Sequence, residues 1–117
     1  MQVLFLNSVS LPRINDRYNK NFSLKRIYTD RKAYLVWNIR EQAGNVKIDP
    51  PYAIKIEVGT HFDLDSFLKP LFDALQDVKV IDNDKNILYL EVIKAPVKRN
   101  ENNWIRVEVI QYVRETN

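Results

Sequence analysis

Acidic residues with a single lysine among them mark the middle of this 117-residue sequence. Asp65, Lys69 and Asp73 are each four residues apart, so on a helix they would form one stripe, with a cation between two anions. Asp63 and Asp65 have two interpretations. They can lie at a helix N-terminus, where free N–H groups and the helix dipole favour carboxylates, or they can hold a hard cation through oxygen atoms. Lys69 can bind a phosphate, or it can pair with Asp65, which contributes only about 0.3 to 0.5 kcal/mol.

Other kinds of catalytic site are excluded by composition. The sequence has no cysteine and one histidine, His61, which rules out disulfides, thiolate metal sites and multi-histidine metal sites. The only glycines, Gly44 and Gly59, are too far apart for a glycine-rich phosphate loop. A calcium loop beginning at Asp82 fails because isoleucine occupies its sixth and twelfth positions. Any acid–base or metal chemistry must therefore use carboxylates and lysines.

Charge is unevenly distributed along the chain. The net charge is only +3. Residues 11–32 nevertheless carry seven basic against two acidic residues, a net of +5, while the rest of the chain has a net of −2. Asn15, Tyr18 and Phe22 add hydrogen-bonding groups and rings to this segment, which suits nucleic acid. A cationic N-terminal region beside an acidic centre is what a phosphate-binding enzyme with a metal site needs. The alternative is a solvated loop.

The N-terminal half is predicted to contain a strand, a long loop, a helix and a second strand. Val3–Leu6 is a short apolar run, and residues 8–28 show no sustained period. A helix is predicted from Thr29 to Ala43, before the stop signal at Gly44, and Tyr34 and Trp37 on it are expected in the core or at an interface. Its inner stripe is Leu35, Val36, Ile39 and Ala43. Apolar residues alternate from Tyr52 to Val58, which indicates a strand with one buried face.

The C-terminal half is predicted to contain the acidic helix and two further strands. The helix should begin near Asp65 or kink at Pro70, because proline lacks an N–H and disfavours a helical residue before it. Its apolar stripe is Leu64, Leu68, Leu71, Phe72 and Leu75. Strands are predicted at Ile87–Ile93 and Ile105–Val113, joined by a polar hairpin loop at Pro96–Asn103.

The fold expected from this order is α+β, with two helices packed on a small mixed sheet of about four strands in one domain spanning residues 1–117. Asp63 follows a strand and Asp84 precedes one, and the two segments are expected to meet at an edge of the sheet. The sequence has no signal peptide and no apolar stretch long enough to span a membrane, so a cytoplasmic location is expected.

The acidic segment also carries a family resemblance. Its motif is Asp63-x-Asp65-x-x-x-Lys69-x-x-x-Asp73-Ala74-Leu75, followed by Asn83-Asp84, Ile87 and Lys94-x-Pro96. This run resembles the RusA-type Holliday junction resolvases, and Asn15-x-x-Tyr18 looks like the family's N-terminal loop. Two positions depart from the family pattern: Ser66 stands where the family usually has asparagine, and Asn83-Asp84 stands where it often has two acids.

The resemblance implies a RusA-like fold and a Mg²⁺-dependent, structure-selective endonuclease that resolves four-way DNA junctions in recombination and repair. It implies that Asp63, Asp65 and Asp84 hold Mg²⁺, for which Mn²⁺ can substitute, and that Lys69 acts beside them in catalysis. The residues expected to bind DNA are Arg13, Asn15, Arg17, Tyr18, Lys20, Lys25 and Arg26. Because a junction needs two coordinated cuts, a homodimer is expected. Two alternatives stand: a catalytically inactive DNA-binding protein with the same fold, and a binding domain whose acids are only helix caps and loop residues.

Overall fold

Four strands and two longer helices make up the described part of the chain, which covers residues 2–9, 26–98 and 101–113 of a computed structural model. In chain order they are β1 (Val3–Val9), α1 (Arg26–Ala43), β2 (Tyr52–Gly59), α2 (Asp65–Asp77), β3 (Ile87–Ala95) and β4 (Trp104–Gln111), with a single 3-10 turn at Asp84–Asn86 before β3. The predicted α+β class, with two helices on a four-stranded mixed sheet, is confirmed. Helix α1 begins three residues earlier than predicted, and β1 continues three residues further.

The strand order in the sheet is β1-β4-β2-β3. Strand β4 is antiparallel to both β1 and β2, whereas β2 and β3 run parallel, with Tyr52 opposite Ile87 and Gly59 opposite Ala95. The predicted hairpin at Pro96–Asn103 is wrong, because β2 lies between β3 and β4 and the chain must cross it. Two successive strands with a polar connection resemble a hairpin in sequence, but pairing with β2 decides the arrangement.

The core lies between one face of the sheet and the two helices. On β2 every second residue from Tyr52 to Val58 is at most 2% exposed, as the alternation predicts. Helix α1 buries Leu35, Ile39 and Ala43, while Tyr34 and Trp37 are 42% and 54% exposed, so of the two places expected for them, core or interface, the core is excluded.

Helix α2 buries a stripe that is rotated from the predicted one. Leu71 and Leu75 are buried, but Leu64, Leu68 and Phe72 are only half-buried. Phe67 and Ala74 replace them, at 1% and 0% exposure. The helix begins at Asp65 and continues through Pro70 to Asp77. It therefore follows the first of the two predicted courses, with its start beside Asp65.

The two outer edges of the sheet differ. The edge at β1 is engaged by α1 at one residue: the Gln42 amide accepts a hydrogen bond from the Asn7 N–H at 2.8 Å and donates one to the Asn7 carbonyl at 2.6 Å. The edge at β3 pairs with no other strand in the described ranges and bears exposed apolar side chains on both faces, namely Leu88, Tyr89, Leu90 and Ile93. Among the described helices, none has the length and apolar character to cross a membrane.

Candidate active site

The loop after β2 positions Asp63 and Asp65. Buried Thr60 fixes this loop: its N–H donates to the Ala95 carbonyl at 3.1 Å, and its hydroxyl accepts from the Phe62 N–H at 3.0 Å. The next turn is held by buried Ser66, whose hydroxyl donates to the Asp63 carbonyl at 2.7 Å. Ser66, the first departure from the family pattern, therefore has a structural role. Thr60 was not singled out from the sequence, because a single buried threonine leaves no periodic signal.

The carboxylates at this end of the sheet do not cap the helix. The residue at the N-cap is Leu64, in helical conformation, with no side-chain capping bond. Asp63 and Asp65 are exposed, and within the described part of the chain no hydrogen bond or ion pair engages either carboxylate. The interpretation of Asp63 as a capping residue is therefore not supported, although Asp65 still lies in the first turn, where the helix dipole favours a negative charge. Both carboxylates remain accessible to a cation.

Lys69 lies one turn after Asp65 and is oriented by Asp73. Its Nζ is 2.9 Å from Asp73 Oδ1, and the Lys69 side chain is 54% exposed. The i,i+4 geometry predicted for this stripe is present. The ammonium group of Lys69 is thus positioned by Asp73 while remaining exposed.

In the second acidic segment, residues 82–84, the Asp82 carboxylate is hydrogen-bonded within the protein and the Asp84 carboxylate is not. Asp82 Oδ1 accepts hydrogen bonds from Asn86 Nδ2 at 3.0 Å and from the Tyr52 hydroxyl at 2.9 Å, and these bonds lower the pKa of Asp82. The Tyr52 hydroxyl also accepts from the Asp82 N–H at 2.9 Å, and burial raises the pKa of Tyr52, so its proton stays in place. Asp82 is thus occupied in holding the turn to β2.

The two residues after Asp82 also differ in whether their side chains are hydrogen-bonded within the protein. The side chain of Asn83 caps the 3-10 turn by accepting from the Lys85 N–H at 2.9 Å. This gives the second departure from the family pattern a structural role as well. The half-buried Asp84 makes no side-chain hydrogen bond or ion pair with the described residues. Of the acids in this segment, Asp84 is the one whose carboxylate makes no hydrogen bond to the described residues.

The two accessible acidic groups lie at opposite ends of the sheet. Asp63 follows the last residue of β2, whereas Asp84 precedes the first residue of β3, and β2 and β3 are parallel. Strand β2 spans eight residues, so its ends are about 23 Å apart at about 3.3 Å per residue. The expectation that the two segments meet at one edge is therefore wrong within a single chain. In agreement, residues 2–9, 26–98 and 101–113 contain no group of three or more His, Cys, Asp or Glu side chains close enough to hold a metal ion.

Most of the predicted DNA-binding residues lie outside the described ranges, namely Arg13, Asn15, Arg17, Tyr18, Lys20 and Lys25. The exception is Arg26, the first residue of α1. Its side chain is 92% exposed, and its Nε lies 3.6 Å from Asp30 Oδ2, one turn further on. A pair this exposed is weak, so the guanidinium group can exchange Asp30 for a phosphate.

Together, the fold and site define a small α+β protein with accessible carboxylates that do not cap a helix. Such carboxylates are of the kind that bind hard divalent cations. No family model matches the sequence. The chain is similar to the crossover junction endodeoxyribonuclease RusA of Aquifex aeolicus (strain VF5), with 29% identity in an alignment 119 positions long that covers 92% of this chain and 91% of the relative. This similarity confirms the resemblance to the RusA-type resolvases that the motifs indicate.

Proposed function

We propose that this protein is a Mg²⁺-dependent endonuclease that resolves four-way DNA junctions. The observation that carries the proposal is the similarity to a crossover junction endodeoxyribonuclease along nearly the whole chain. The accessible state of the three acids of the motif supports it. Asp63, Asp65 and Asp84 are left without protein partners among the described residues, while neighbouring Asp82 is engaged. Such an enzyme would work in the cytoplasm, where the DNA is.

The chemistry follows from the types of the residues. A divalent cation supplies polarisation of the phosphodiester and a lower pKa for an attacking water. Asp63 and Asp65 provide oxygen ligands on one rigid turn, and Mg²⁺ and Mn²⁺ both accept such ligands. Lys69, held by Asp73, can bind the phosphate as negative charge develops on it.

Because the three acids do not fit one metal ion within a single chain, we infer that the site is completed by a second copy. The uncovered β3 edge offers the contact. Antiparallel pairing of two β3 strands about a two-fold axis would place the start of one strand beside the end of the other. Asp84 of one copy would then lie at the same end of the joined sheet as the partner's Asp63 and Asp65. Each dimer would carry two such sites, one for each cut.

The condition of the β3 edge supports this contact. It is a nine-residue strand with large exposed apolar side chains, and in the described ranges its outer side pairs with no strand, whereas at the β1 edge the Gln42 amide occupies the backbone groups of Asn7. Proteins normally cover or charge such an edge, because its free N–H and C=O groups pair readily with another strand. Pairing with a second copy covers both the backbone groups and the apolar side chains.

Cleavage of a labelled four-way junction with and without Mg²⁺ tests the function. Replacing Asp63, Asp65 or Asp84 by asparagine removes a ligand charge at constant volume, so we expect Mg²⁺-dependent cleavage to drop by several orders of magnitude while the fold survives. Junction binding without metal should hold or increase, because each change removes a negative charge near the phosphates. The matched control is Asp77→Asn, the same change at the exposed C-terminal end of α2. Normal cleavage by all three variants would refute the assignment of these acids.

DNA binding is proposed for the basic N-terminal segment together with Arg26. If a dimer neutralises about 6 to 10 phosphates, junction affinity should fall by roughly 10³ to 10⁵ between 50 and 200 mM salt. Neutral replacements at Arg17, Lys20 or Lys25 should flatten this dependence. An unchanged salt dependence would show that the segment does not contact DNA.

A further inference from the structure

A groove with a volume of about 460 Å³ opens at the end of the sheet where β1 ends and β4 begins. Its size is within the range of ligand pockets. The polar and aromatic side chains that line the groove belong to six residues: Asn7, Ser8, Tyr34, Asn38, Trp104 and Arg106. They supply two aromatic rings, two amides, two hydroxyls and one cation, and the described residues that line the groove include no carboxylate. The groove therefore suits an anionic ligand with a flat ring.

The aromatic wall formed by Trp104 is fixed in place. Its indole lies directly over Gly59, so closely that a Cβ at that position would overlap the ring. The guanidinium group of Arg106 lies 4.8 Å from the centre of the same ring, in cation–π contact. Glycine at position 59 is therefore required by the close approach, and Trp104 in turn holds Arg106 at the groove.

The opposite wall and the polar contacts come from α1. Tyr34 is 42% exposed and presents its ring to the groove. One turn further along, Asn38 Nδ2 donates to Ser8 Oγ at 3.3 Å, which fixes the amide. Asn38 Oδ1 takes part in no hydrogen bond within the described ranges and is available to the polar edge of a ligand. The clamp between Gln42 and Asn7 keeps α1 and β1 in register, so the walls are held before any ligand binds.

We propose that this groove binds a single unstacked DNA base, with the base on the Tyr34 ring, its edge at the Asn38 amide and its phosphate at Arg106. The choice of DNA as ligand rests on the proposed nuclease function. The position of the groove agrees with it: Trp104 covers Gly59, and the chain reaches Asp63 four residues later. The groove thus opens at the end of the sheet that carries Asp63 and Asp65. Helix α1 adds four basic residues against two acidic ones, which favours a phosphate chain alongside.

The test uses a short single-stranded oligonucleotide with one 2-aminopurine, whose fluorescence reports stacking, and the full chain without Mg²⁺. Tyr34→Ala is expected to weaken binding about 5- to 150-fold, the range for losing one base–aromatic stack. Tyr34→Phe keeps the ring and should bind like the wild type. The matched control is Phe5→Ala, which removes a 67% exposed ring from β1 that does not line the groove, and it should also bind like the wild type. A second variant, Arg106→Gln, should weaken binding and lower the slope of log affinity against log salt by about 0.7.

The outcomes separate the groove from the nuclease activity. Binding that is unaffected by both Tyr34→Ala and Arg106→Gln, or that Phe5→Ala weakens as much as Tyr34→Ala, would overturn the groove proposal even if junctions are cleaved. Binding that depends on Tyr34 and Arg106 in a protein that cleaves no junction would refute the nuclease function and leave the groove as a site for single-stranded DNA. The groove proposal would also be overturned if an aromatic peptide displaced the 2-aminopurine oligonucleotide from the protein while natural oligonucleotides did not.

Discussion

Two inactive variants are expected to restore each other's activity when they share a dimer. The perturbations are Asp63→Asn in one preparation and Asp84→Asn in the other. If each site combines Asp63 of one copy with Asp84 of its partner, a mixed dimer has one site with both changes and one site with neither. The separation of the two acids by the length of β2, about 23 Å, is the reason to expect this arrangement.

The size of the effect follows from symmetry. With equal amounts and random exchange of subunits, about half of the dimers are mixed and each has one intact site, so about one quarter of all sites are active. A mixed dimer can make only one cut, so its product should be a nicked junction. Two paired cuts, which release resolved duplexes, require both sites.

Denaturing gels of an end-labelled junction measure the nicks, and native gels measure resolved duplexes. The subunits are exchanged by refolding the mixture from urea, and mixed dimers are verified with a tag on one variant. The control mixture is Asp63→Asn with Asp65→Asn, which damages both sites of every mixed dimer because the two acids come from the same copy. If verified mixed dimers of Asp63→Asn and Asp84→Asn make no nicks, or if the control mixture makes as many, the composite site is refuted.

Three further predictions concern the fold and its edges. Tyr52→Phe deletes a buried hydroxyl that makes two hydrogen bonds to Asp82, and it should lower the free energy of unfolding by about 1 to 3 kcal/mol in urea titrations; an unchanged midpoint would mean that these bonds contribute nothing. The folded pKa of Asp82 lies below its ordinary value of 3.8, so the contribution of this carboxylate to the stability of the fold should be complete above that value and disappear as the pH falls through the folded pKa. The melting temperatures of the wild type and Asp82→Asn should therefore converge in acid. A constant difference between them would contradict this linkage. Leu88→Lys places a charge on an edge residue that is 63% exposed, and light scattering should show monomers with unchanged circular dichroism, whereas an intact dimer would place the contact elsewhere.

Local patterns in the sequence were sufficient to predict the strands and helices and to restrict the possible chemistry. Alternation from Tyr52 to Val58 predicts β2, because successive strand residues face opposite sides. The start of α2 beside Asp65 is one of the two courses that the position of Pro70 predicts. The absence of cysteine and the presence of a single histidine restrict any metal site to oxygen ligands. All of these depend on residue types and on spacings of a few positions.

The tertiary structure decided where these elements lie. The parallel pairing of β2 with β3, and the insertion of β2 between β3 and β4, join segments far apart in the chain, and no local period encodes them. That pairing sends Asp63 and Asp84 to opposite ends of the sheet. Contacts across the fold also distinguish two neighbouring acids, since the Tyr52 hydroxyl hydrogen-bonds to Asp82 and not to Asp84. The sequence by itself determined that only oxygen ligands are available for a metal ion, whereas long-range strand pairing determined that one chain does not bring Asp63, Asp65 and Asp84 together.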